Sequence, residues 1–352
     1  MLDSERGNML LGYKIRPLSL ALLAGLICLI AFQSKAQTPG GDAYAYCSNE
    51  AATNLPLDTG FDRNWAVFER PSGEYPDGSI EATSSNSVYF RGGVLHLVAR
   101  KTRDNFLGDL VRRNSFLEKL AEHNSVLRAS IADQFMSGRI SSYGQFKFGC
   151  IEFTAKLPQG RGYWPALWMR TPYGQPTSGE IDVVEGFGSH PKVFQSTLHH
   201  WRNGAEPNST HRRIINGVDR TFTCARVVAS ASKPNAETQL AIKKARWAGT
   251  DRWHLNSWLF ANAETPCQVV SVDQNLDFSR DFHRFMVVWT PTRLIWALDG
   301  KPYYETTDDI PQSPMIIIMN LSVGKMDGQA DATTPLLGEL QVRSVRVMAL
   351  RR

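Results

Sequence analysis

The sequence has little of what marks several common functions. Its 352 residues hold five cysteines, with no CxxC pair and no Cys/His cluster at metal-ligand spacing, so a zinc site or a dithiol redox centre has no motif to rest on. Charge is not concentrated either. The formal net charge is +5, and no run of Lys and Arg with interleaved aromatics offers a nucleic-acid footprint. No internal repeat or low-complexity tract stands out. The apolar run Leu18 to Phe32 has 15 residues, short of the roughly 20 needed to cross a bilayer. Lys14 and Arg16 precede it and Ser34-Lys35-Ala36 follow it, the order of a signal peptide over residues 1–36 rather than of a retained anchor. The expected mature chain, 37–352, is then secreted, extracellular or periplasmic, and free of the membrane after cleavage. The leader carries Arg6, Lys14, Arg16 and Lys35 against Asp3 and Glu5, a net +2, which leaves +3 of the formal +5.

Hydrophobic residues make up 42% of the chain, ample for a core, and all-β units of this size commonly form one domain. Cys28 falls in the leader, so Cys47, Cys150, Cys224 and Cys267 meet an oxidising setting and can form two disulfides. A long segment with Cys224 near one end and Cys267 near the other gains most from closing its own loop, which predicts that pair. Cys47 to Cys150 is the default for the remainder, and Cys150 equally fits a buried free thiol.

From Ser87 onward short alternating stretches are separated by turn residues, as in SVYF-RGG-VLHLVA, HRFMVVWTPTRLIWALDGKPYYE, PMIIIMNLSV and ELQVRSVRVMAL. Gly92-Gly93 and Asp299-Gly300 supply hairpin turns. The pattern predicts an all-β sandwich or barrel of antiparallel strands. Two insertions break it. Residues 102–134 carry Phe106, Leu110, Leu117 and Leu120 at near-helical spacing and predict an inserted helix. Residues 218–281 hold Cys224, Cys267, Trp247, Trp253 and Trp258 with little periodicity and predict a long surface loop or subdomain bordering a cleft.

The segment GEIDVVEGFG carries the chemistry. Glu180 and Asp182 are two apart and share a face of a strand, while Ile181 and Val183 take the other. Glu185 breaks this parity and would enter the core, unless a β-bulge at Val183-Val184 adds one residue and returns it to the face of the other two. Three like charges on one face raise the proton affinity of one member, giving a protonated acid beside an ionised nucleophile. Glycoside cleavage needs that pair. A metal-binding trio is the competing reading, but hard cations want six or more oxygens and no Asp/Asn/Gly ligand loop accompanies the run.

These residues resemble glycoside hydrolase family 16, whose signature is ExDxxE in its bulged branch and ExDxE in its regular branch. The lead-in SGRISSYGQFKFGCIEFTAKLPQGRGYWPALWMR, from Ser137 to Arg170, and the later DFHRFMVVWTPTRLIWALDG and MIIIMNLSVGK are similar to that family's order of strands. The resemblance implies a β-jelly roll of two curved antiparallel sheets with an open groove on the concave face. It implies Glu180 as nucleophile, Asp182 as the residue that assists it, and Glu185 as general acid/base. His199 matches a cleft histidine near the acid/base, with His200 as its substitute, and Trp164 and Trp168 match cleft aromatics whose indole faces suit a pyranose ring. Asn320 is a further candidate for the cleft. The strand VRSVRVM has Arg343 where the family commonly places an Asp that helps hold a calcium, so no metal is expected there. No cofactor is implied, and the partner is a polysaccharide acted on by a monomer. The mechanism implied is double displacement with retention, by hydrolysis or by transglycosylation. The lead-in GYWPALW is more like the β-glucanase members, which favours a β-1,3- or mixed β-1,3/1,4-glucan. A bacterial acidic exopolysaccharide, a marine galactan such as agarose or carrageenan, and a non-catalytic lectin-like module are the alternatives.

Overall fold

The computed structural model describes residues 41–352 except 59, 72–78, 104–113, 125–133, 173–178, 200–221, 230–267, 274, 308–309, 325–329, 332 and 352. The expected leader, His200, Trp247, Trp253, Trp258 and Cys267 therefore lie outside the described residues, and so does the Cys224–Cys267 pairing. In chain order the first strands are β1 (Cys47–Leu55), β2 (Trp65–Val67), β3 (Ala82–Thr83), β4 (Val88–Arg91), β5 (Val94–Arg103) and β6 (Gln134–Ser137). Next come β7 (Arg139–Phe146), β8 (Gly149–Lys156), β9 (Tyr163–Arg170), β10 (Glu180–Gly186), β11 (Val193–His199) and β12 (Phe222–Ala229). The last are β13 (Gln268–Val272), β14 (His283–Trp289), β15 (Leu294–Leu298), β16 (Lys301–Thr306), β17 (Met315–Val323) and β18 (Leu337–Leu350).

Among the described residues these strands form two sheets. One runs β16-β15-β14-β8-β18-β5-β6-β3, with β1 on β18 and β4 on β5; the other runs β13-β12-β11-β10-β9-β17-β7-β2. Pairing is antiparallel except for β3 with β6 and β12 with β13, so the expected all-antiparallel sheets each gain one parallel pair. The inner faces close on one core that includes Leu97, Phe153, Trp289 and Trp296 from the first sheet and Leu167, Ile181, Phe194 and Ile317 from the second. The remaining alternate residues of the second sheet, among them Trp164, Trp168, Glu180, Asp182, Thr197, His199 and Asn320, face away from that core. Gly92-Gly93 turn at φ +60° and +75° and Asp299-Gly300 at +51° and +86°, the left-handed pairs that two-residue hairpins require.

Both insertions differ in part from the sequence reading. The first contains the helix Ser115–His123, capped by Asn114, whose side chain accepts the Phe116 and Leu117 amides at 3.1 and 3.2 Å. Its ends belong to the sheet, since β5 runs to Arg103 and β6 begins at Gln134. The second is no surface loop at its ends. β12 pairs with β11 along its full length, and β13 adds to β12. Phe278 is fully buried and stacks edge-on against Phe194 at 5.0 Å. From Ala225 to Ala229 every residue of β12 is buried, so no alternation of polar and apolar residues betrays it as a strand.

Cys47 and Cys150 form a disulfide that joins β1 to β8 across β18. Arg343 lays its guanidinium over the Phe282 ring at 3.9 Å, with Lys156 5.7 Å from the same ring. The position where the family resemblance puts a cation-binding Asp thus carries a side-chain cation held on an aromatic face.

Candidate active site

The bulge is present in β10. Against β11, Asp182 stands opposite Thr197 and Glu185 opposite Gln195, so three steps on β10 match two on β11. Against β9, Asp182 faces Trp168 and Val184 faces Leu167, again one residue in excess. The extra residue puts both Val183 and Val184 in the core and returns Glu185 to the side of Glu180 and Asp182. Donors from the core side hold the bulge. The Trp296 indole N–H donates to the Asp182 carbonyl at 3.0 Å, and the Ser196 hydroxyl donates to the Val183 carbonyl at 2.7 Å. Gly179 opens the strand at φ +144°, where a Cβ would lie 2.5 Å from the His199 carbonyl; this close approach admits only glycine.

Asp182 and Glu185 are buried, and the Glu180 side chain keeps 22% of its surface exposed. Burial, more than any other cause, pushes all three carboxyls from the ordinary range up to about 8. The charge on Asp182 adds to this at both glutamates. What offsets it differs between them. His199 and the Arg170 guanidinium favour the ionised form of Glu180, whereas Glu185 has His199 and two neutral donors, Thr197 and Trp164. Thr197 Oγ1 donates to Glu185 Oε2 at 3.2 Å. The Trp164 indole N–H meets no acceptor at full hydrogen-bonding geometry, yet it faces Glu185 closely enough to favour its anion. Glu180 keeps more contact with solvent than Glu185 and has the Arg170 guanidinium near it, and both features favour its anion.

His199 stands directly opposite Glu180 on β11. Its Nε2 lies 3.1 Å from Asp182 Oδ2 and 3.9 Å from Glu180 Oε1, so its nearest carboxylates are these two rather than Glu185, beside which the family resemblance placed it. Glu180, Asp182 and His199 each offer one ligand atom, all within 4.8 Å of one another, which is room for a divalent ion. Trp168 and Asn320 are coupled. The indole N–H donates to Asn320 Oδ1 at 2.7 Å, and Asn320 Nδ2 donates to Ser322 at 2.9 Å. The Arg139 guanidinium lies 5.4 Å from the Trp168 ring and 4.7 Å from that of Phe68, so the Trp168 indole is braced from a second side. Trp164 lies beside Glu185, with its indole nitrogen buried.

Gln195, Thr197 and Arg226 were not singled out in the sequence. Gln195 and Thr197 could have been found by parity, since FQSTLH places both on the face of His199, opposite the carboxylates.

Residues 104–245 match the family model described as the XgeA-like, catalytic GH16 domain, and residues 245–341 match the model for glycosyl hydrolases family 16. Glucan endo-1,3-beta-glucosidase A1 of Niallia circulans is 28% identical over 235 residues, 61% of this chain and 26% of the relative. A beta-glucanase of Rhodothermus marinus is 25% identical, covering 61% of this chain and 62% of the relative. The chain thus spans less than two thirds of the length of either. The laminarinase catalytic domain of Thermotoga maritima has the same fold, with a TM-score of 0.55 at 20% identity over 86% of this chain and 98% of that one.

Proposed function

The chain belongs to glycoside hydrolase family 16, and on that premise we propose that it is a secreted, retaining endo-glycosidase of β-1,3- or mixed β-1,3/1,4-glucan. The observation that carries the reading is the asymmetry of two glutamates on one face. Glu180 has Arg170 near it and is partly open to solvent; Glu185 is buried, shares the influence of His199 and is otherwise offset only by the neutral donors Thr197 and Trp164. An anion and a neutral acid side by side are what double displacement requires.

In the first half-reaction Glu180 attacks the anomeric carbon as the glycosidic C–O bond breaks, and the proton of Glu185 passes to the leaving oxygen. In the second, Glu185 takes a proton from water, whose oxygen bonds to the anomeric carbon as Glu180 leaves. Asp182, opposite Trp168 and against His199, keeps the imidazole near Glu180 while its own charge raises the proton affinity of Glu185. No cofactor enters these steps. The choice of β-glucan is supported by relatives named as an endo-1,3-beta-glucosidase and a beta-glucanase. Incubation with laminarin, barley β-glucan, agarose and κ-carrageenan tests it. Oligosaccharides are expected from the first two; release only from the galactans overturns the substrate, and release from none favours an exopolysaccharide or a binding module.

A further inference from the structure

A hydrogen-bond chain of one direction ends on Glu185. Arg226 Nη2 donates to Gln195 Oε1 at 2.5 Å, Gln195 Nε2 donates to Thr197 Oγ1 at 3.0 Å, and Thr197 Oγ1 donates to Glu185 Oε2 at 3.2 Å. The register builds it: Arg226 on β12 stands opposite Gln195 on β11, and Gln195 opposite Glu185 on β10. Each orientation follows from the one before. A guanidinium has donors and no acceptor, so it draws the amide oxygen of Gln195 toward itself and turns the NH2 toward Thr197. The Thr197 oxygen accepts from Gln195 and gives its single proton to Glu185. Arg226 itself is 5% exposed and lies 5.2 Å from the Phe187 ring, so the origin of the chain is held in place.

We propose that Arg226 is a positioning residue for Glu185: through Gln195 and Thr197 it occupies Oε2 with a donated hydrogen bond and leaves Oε1 as the atom that carries the transferred proton. An oxygen that accepts from Thr197 does not also bear the carboxyl hydrogen in that geometry, so the neutral acid keeps its proton on Oε1. Oε1 gives that proton to the leaving oxygen and later takes one from the attacking water. The proposal rests on the acid/base role given to Glu185 above. It also gives the inserted segment a part in the site, because β12 brings Arg226. Other charged groups face Glu185 as well: Asp182 and Glu180 from its own strand and His199 from β11, with Arg170 of β9 beside Glu180.

The test is a carbon-13 NMR titration of the Glu185 carboxyl in the full chain, together with kcat and KM against pH. A hydrogen bond donated to the anion favours it, so its loss moves titration upward. Thr197→Val is expected to raise the Glu185 midpoint by about one pH unit, and to lower kcat at neutral pH about tenfold with KM within about twofold. Arg226→Met is expected to move both in the same direction by less, and Thr197→Ser to restore wild-type values. The double variant should match Thr197→Val alone, because the hydrogen-bonded path from Arg226 to Glu185 runs through that hydroxyl. Should Arg226→Met fail to fold, Gln195→Met cuts the same chain. An unmoved midpoint in Arg226→Met or Gln195→Met, or additive effects in the double variant, overturns the proposal. A wild-type chain inert on every polysaccharide, with these shifts present, overturns the glycosidase reading while the proton placement stands.

Discussion

The acids of the first sheet and its hairpin turn and those of the second sheet are treated in opposite ways. On the first sheet Glu339 accepts from Tyr89 at 2.9 Å and Gln341 at 3.0 Å and pairs with His96 at 3.0 Å; Asp299 pairs with His283 at 2.9 Å and accepts the Arg284 amide at 2.8 Å. Burial alone raises both, but these donors outweigh it and hold both below the usual carboxylate range. On the second sheet Glu180, Asp182 and Glu185 face one another, and burial drives them up instead. Paired acids mark places where the fold uses charge to hold itself. A row of buried acids that face one another, where partners such as His199 and Thr197 do not outweigh burial, marks a place where the fold tolerates cost for chemistry.

The largest expected effects separate the sheets by activity. Glu180→Gln and Glu185→Gln should each lower kcat on laminarin about a thousandfold or more with circular dichroism unchanged, and Asp182→Asn should leave measurable turnover. Glu339→Gln and Asp299→Asn should leave kcat within about twofold, since neither touches the groove. Near-normal turnover in either glutamate variant breaks the contrast.

Next in size is the dependence of stability on pH, where the two sheets should differ in sign. The raised acids make the native chain bind more protons than the unfolded one between 4.5 and about 8. Their contribution is therefore fully present below 4.5 and lost as pH rises through about 8. Glu185→Gln should melt above wild type at pH 8 and level with it near pH 4. Glu339, held low, contributes above the ordinary glutamate value and loses that contribution as pH falls. Glu339→Gln should cost about 1 kcal/mol at pH 7 and less in acid, by thermal or urea unfolding. Equal pH profiles for the two variants contradict this account.

How much of this could be read in the sequence follows from the same contrast. Parity in EIDVVEG required the bulge, because leaving Glu185 in the core costs several kcal/mol, and the two glycine-containing turns placed two hairpins. Trp168 and Asn320 were legible as neighbours of the groove, but their mutual bond was not. It joins β9 to β17, strands about 150 residues apart in sequence, at a separation of 152. β12 was hidden by burial on both faces, and Arg226 with it. A charged residue in a segment without alternation gives no sign of which strand it will meet.

The smallest expected effect is none at all. With Arg343 of β18 on Phe282, EDTA should leave the melting temperature unchanged. A fall of several degrees that calcium reverses would show a cation stabilising the native state despite the arginine.

The central claim is Glu180 as the nucleophile, the acid of the row that has the Arg170 guanidinium near it and part of its side chain open to solvent. Incubation with a 2-deoxy-2-fluoro β-1,3-glucosyl donor bearing a good leaving group, followed by peptide mass spectrometry, reads this without relying on turnover. The predicted result is one glycosyl adduct on the peptide GEIDVVEG, fragmenting to Glu180, and absent in Glu180→Gln. An adduct on Glu185, or none while the natural substrate is cleaved to an inverted product, would contradict it.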